Sequence, residues 1–76
     1  MSLRKEIIKE IEVLEKEMQE LESKRARSIA ALMEAVISKR DPDPAEMQYF
    51  RQYNTEIEET REKLIRLNKH LKKMVD

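Results

Sequence analysis

The stretch Arg40-Asp41-Pro42-Asp43-Pro44-Ala45-Glu46 lies near the middle of a chain of 76 residues and divides it in two. Each proline disfavours α conformation in the residue before it, so a helix arriving from the N-terminal side must end ahead of Asp41. The same residues also start a helix. Asp43 suits the N-cap, Pro44 suits the first helical position, and Glu46 stands three after the cap, where a capping box places its acidic partner. The stretch therefore predicts a helix over 3–39, a loop over 40–43 and a helix over 44–74, within one domain covering 1–76.

Outward from the loop, both halves carry a heptad seam. In the first half Ile7, Ile11, Leu14, Met18 and Leu21 alternate spacings of four and three, and the row continues through Arg25, Ser28, Leu32 and Ala35 with a polar middle. In the second half the row is Phe50, Tyr53, Ile57, Thr60, Leu64, Leu67, Leu71 and Met74. Ser2 is a candidate N-cap for the first helix. Lys39 and Arg40 at the end of the first helix, and Lys69, His70, Lys72 and Lys73 at the end of the second, suit the negative ends of the helix dipoles.

A loop this short suits antiparallel neighbours. Folding the chain about residue 41 sets Ile11 against Leu71, Leu14 against Leu67, Met18 against Leu64, Leu32 against Phe50 and Ala35 against Met47. It also sets Glu10, Glu12, Glu15, Glu17, Glu20 and Glu22 beside Arg61, Lys63, Arg66, Lys69, Lys72 and Lys73. Lys24, Arg25 and Arg27 fall beside Glu56, Glu58 and Glu59. Such pairs are individually weak and collectively select orientation. The fold class is all-α, a coiled-coil-like two-helix antiparallel hairpin. A domain-swapped dimer would use the same pairing, and the sequence leaves both open.

Composition excludes several functions. There is no glycine, so tight β-turns and phosphate-cradling loops are not expected. There is no cysteine, hence no disulfide framework and no thiolate metal site. Lys plus Arg and Asp plus Glu number 16 each, which gives no electrostatic reason to favour nucleic acid or anionic membrane. The short basic run Ser23-Lys24-Arg25-Ala26-Arg27 faces acidic residues across the seam and reads as part of a charged coiled coil. His70 has no histidine, cysteine or Glu-x-x-His partner and reads as a solvated residue, and the glutamates read as a solvated face. No nucleophile stands beside a base, and two helices enclose no pocket, so no enzyme activity, cofactor or metal is expected. No run reaches the length of a membrane span and no signal-peptide core opens the chain, so the expected location is cytoplasmic.

One region exceeds what a hairpin needs. From Ala26 to Ile37, nine of twelve residues are apolar. Leu32 and Ala35 serve the seam. Ala26, Ile29, Ala30, Met33, Val36 and Ile37 form a second stripe on another face, and Tyr49 stands off the seam of the second helix near the same end. Scattered exposed aliphatics are the plain alternative. A contiguous stripe is the mark of an interface, so these seven residues are the candidate partner-binding set, and they leave open a homodimer as well as a different partner.

Met47-Gln48-Tyr49-Phe50, then Gln52, then Ile57-Glu58, together with the length and hairpin layout, resemble the small co-chaperones of type III secretion needle subunits, the E-type component. That family has a more apolar end to its second helix than Lys63-Leu64-Ile65-Arg66-Leu67-Asn68-Lys69. The resemblance implies a cytosolic co-chaperone that joins a tetratricopeptide-type chaperone and keeps a needle subunit soluble before export. Asp41-Pro42-Asp43-Pro44 is also similar to the loop of the needle subunits themselves, although this chain is more charged than a polymerising subunit. A coiled-coil adaptor or regulator unrelated to secretion is the further alternative.

Overall fold

The structure, a computed structural model, describes residues 2–74. Two helices account for nearly all of them: α1 over Leu3–Ile37 and α2 over Pro44–Lys73. At 1.5 Å per residue they are about 52 and 45 Å long. The molecule measures 58 × 16 × 15 Å, so α2 must run back along α1 rather than continue it. The expected antiparallel hairpin is the observed fold.

The seam is the core. Ile7, Ile11, Leu14, Ala35 and Ile57 are buried, and Ile57, at 1% exposure, is the most deeply enclosed. Every other seam position read from the heptads, from Met18 and Leu21 to Leu64, Leu67, Leu71 and Met74, is at least half-buried. Two buried seam residues are polar, Ser28 and Thr60, and no buried side-chain nitrogen or oxygen among the described residues lacks a hydrogen-bond partner. Ser28 and Tyr53 border one surface groove, and Leu21 and Thr60 border another, as the antiparallel register expects.

The C-terminal ends of both helices differ in detail from expectation, whereas α2 starts at Pro44 as expected. α1 ends at Ile37, two residues before the predicted 39, and α2 ends at Lys73 rather than 74. The first difference has a local cause. Lys39 adopts φ 55, the left-handed region. Its N–H then donates to the Val36 carbonyl at 3.1 Å, and the Arg40 N–H reaches back to the Ala35 carbonyl at 2.8 Å. These two bonds are a complete Schellman motif, built without the glycine that usually occupies its left-handed position. The cations Lys39 and Arg40 thus lie just past the last turn and not within it.

At the start of α2, Asp43 Oδ1 accepts from the Ala45 N–H at 2.9 Å with Pro44 in the first turn, as the sequence predicts. Asp43 thus caps the N–H of the second helical residue and not that of Glu46, and Glu46 makes no return bond to the cap among the described residues, so the cap forms without the reciprocal capping box. Ser2 occupies the N-cap of α1 with extended backbone, and its side chain makes no capping bond.

Candidate protein-binding face

The two sides of the seam differ, and a single hydrogen bond tells them apart. Arg25 Nη1 donates to Asn54 Oδ1 at 3.1 Å, crossing from α1 to α2 in a half-buried setting. Residues four, seven and eleven beyond Arg25 lie on the same side of α1, and these are Ile29, Leu32 and Val36. Residues four and seven before Asn54 lie on the same side of α2, and these are Phe50 and Met47. The side marked by Arg25 and Asn54 is therefore apolar toward the loop end, with Leu32 and Phe50 half-buried beneath and Ile29, Val36 and Met47 above.

The opposite side is polar. Lys24, Arg27, Ser28 and Ala31 of α1 share a groove with Glu46, Tyr49 and Tyr53 of α2. Tyr49 stacks on Tyr53, with ring centroids 6.4 Å apart and planes at 21°. The structure thus separates Tyr49 from the other candidate residues. It is exposed, as they are, but on the far side of the hairpin among charged neighbours.

The remaining candidates stay together. Met33, Val36 and Ile37 are 59%, 71% and 73% exposed, Ile29 is 37% exposed, and Ala26 and Ala30 are exposed beside them. Outside the loop end the large exposed apolar residues are Leu3, Val13 and Ile65, none of which lies in the 26–37 stretch.

Met47 joins this face although the seam reading paired it with Ala35. It is 37% exposed, whereas Glu46 is half-buried against the loop end of α1. The strict heptad accounts for this: Glu46, Phe50, Tyr53 and Ile57 keep the four-three-four alternation, whereas Met47, Phe50 and Tyr53 do not. Hydrophobicity pointed to Met47, and spacing pointed to Glu46.

The interhelical ion pairs expected from the facing charges do not close to contact among the described residues. The ion pair observed is local to α2, Arg61 to Glu58 at 2.7 Å, with both side chains exposed. Glu17, Glu20, Lys24, Glu56, Glu59 and Lys63 instead border one shallow groove. No group of three or more His, Cys, Asp or Glu among the described residues is placed to hold a metal, and no described helix is long and apolar enough to cross a membrane.

No protein-family model matches the chain, and no curated protein or solved structure shows significant similarity to it.

Proposed function

We propose that this chain is a non-catalytic protein–protein interaction module that acts through the apolar face at the loop end of α1. The observation that carries this reading is the continuous exposure of Ile29, Met33, Val36 and Ile37, by 37 to 73%, on a hairpin whose own seam makes no use of them. Fully burying one such side chain is worth ~1.5–3 kcal/mol, so a few of them anchor a helix laid along the face. Ala26 and Ala30 let a partner backbone approach closely, and Met33 and Met47 adapt to irregular surfaces. The test is affinity capture from the native cell with the parent chain and with Met33→Glu and Ile37→Lys variants. Helicity by circular dichroism should be retained, and the specifically captured protein should be lost. Equal capture by all three would move the interface elsewhere, with the Tyr49 groove next in line.

The resemblance of the Met47 to Glu58 stretch to needle co-chaperones favours a narrower reading. Under it, the chain is a cytoplasmic co-chaperone that joins a tetratricopeptide-type chaperone, and the pair keeps a needle subunit soluble. Co-expression of the chain with those two partners should give a single complex in size-exclusion chromatography. A complex that forms equally well without this chain would count against the narrower reading. The general reading, an adaptor or regulator outside secretion, would then stand on the exposed face alone.

A further inference from the structure

A compact monomer of 9.1 kDa exposes about 4,900 Å², whereas this hairpin exposes 6333 Å². The surplus, on the order of 1,400 Å², follows from the rod shape and is spread along both helices. The stripe at the loop end of α1 is where large apolar side chains are concentrated on that surface.

The stripe has an internal order that selects its occupant. Ala26, Ala30, Met33 and Ile37 follow spacings of four, three and four, a second heptad seam on the back of α1. Laid antiparallel on a copy of itself, this seam sets Ala26 against Ile37 and Ala30 against Met33. Each layer then joins a small residue to a large one, which is how facing positions interdigitate without voids or clashes. Laid parallel, it would set alanine on alanine and isoleucine on isoleucine.

The flanks agree. In the antiparallel arrangement Ile29 falls beside Val36 of the second copy on one flank, and Arg27 falls beside Glu34 on the other. Two-fold symmetry forms each pair twice. Among the described residues neither Arg27 nor Glu34 has a side-chain partner within the hairpin, so both are available.

We propose that the free chain covers this face with a second copy of itself, α1 packed antiparallel on α1 about a two-fold axis between Ala30 and Met33, giving a dimer of hairpins. This rests on the reading of the stripe as a protein interface.

The test uses the full chain. Sedimentation equilibrium should give twice the 9.1 kDa monomer mass. Arg27→Glu, which faces Glu34 twice across the axis, should weaken association roughly tenfold, and Arg27→Glu combined with Glu34→Arg should restore it. The absence of cysteine gives a clean background for cross-linking. An oxidised mixture of Ala26→Cys and Ile37→Cys chains should form the mixed disulfide, because two copies of position 26 lie about 16 Å apart in this arrangement. A monomer at every concentration up to about 0.5 mM overturns self-pairing, and leaves the interface reading to the capture experiment. A dimer that cross-links through two Ala26→Cys chains, or that the charge exchange fails to restore, overturns the antiparallel arrangement. A dimer indifferent to both Met33→Glu and Ile37→Lys overturns this proposal and removes self-association from the support for the face.

Discussion

Lys39 is the one described residue with positive φ, and its position has a measurable consequence. A side chain with a Cβ is disfavoured in the left-handed region, and glycine is not. Lys39→Gly should stabilise the hairpin by about 0.5–1 kcal/mol, read as a shift of the urea midpoint at constant m value. An unchanged or lower midpoint would mean that the Lys39 side chain contributes more than its backbone geometry costs. Arg25 is the other informative residue. Read from the sequence, it is a polar interruption opposite Ile57, and Arg25→Leu is expected to raise stability while loosening pairing specificity. The bond to Asn54 changes that balance, because the leucine would leave a half-buried amide without its donor. A double-mutant cycle with Arg25→Ala and Asn54→Ala should give a coupling of about 1 kcal/mol. A coupling indistinguishable from zero would show the contact to be incidental to stability. The sequence placed Arg25 correctly in the seam. It could not show the contact, because heptads register side chains to a layer but do not say which neighbour a long, flexible one reaches.

At the scale of elements, the seams were legible because each helix must bury one stripe, and a stripe has a period. What failed to read out lies at ends and edges. The first helix closed two residues early, since the Schellman geometry depends on a left-handed lysine that no propensity favours. By hydrophobicity Met47 competes with Glu46 for the seam position, but at a helix end the seam is too shallow for hydrophobicity to decide, and strict spacing prevails. Nearness to the loop groups Tyr49 with the α1 stripe in sequence, but two sides of the hairpin meet at that end, and Tyr49 lies on the other one. The caps give a contrast within one molecule. Asp43 makes its capping bond and Ser2 does not. Asp43→Ala should therefore destabilise the hairpin by about 1 kcal/mol, whereas Ser2→Ala should change it by less than about 0.3 kcal/mol. Thermal denaturation followed at 222 nm would check both, and equal losses would mean that Ser2 caps α1 in solution.

At the scale of the whole molecule, the question is what holds the two helices in this orientation. Complementary rows of glutamates and basic residues face one another across the hairpin, and the sequence alone makes them look decisive. The structure gives that role to packing. The described ion pair is an exposed, intrahelical one, and no described interhelical pair reaches contact, whereas Ile7, Ile11, Leu14 and Ile57 are sealed in the seam. Exposed charges several ångströms apart interact weakly and are screened within a Debye length of ~10 Å at 0.1 M salt. The rows therefore bias which pairing forms, and the seam supplies the stability once it has formed. It follows that the melting temperature should move by less than about 3 °C between 0.02 and 0.5 M sodium chloride. Protein concentration must be held fixed in this measurement, since self-association would itself make the midpoint depend on it. Ile57→Ala, at the most enclosed position, should by contrast destabilise by about 2–5 kcal/mol at either salt. A steep fall in melting temperature with salt would reverse the assignment and make the charged rows the principal source of hairpin stability.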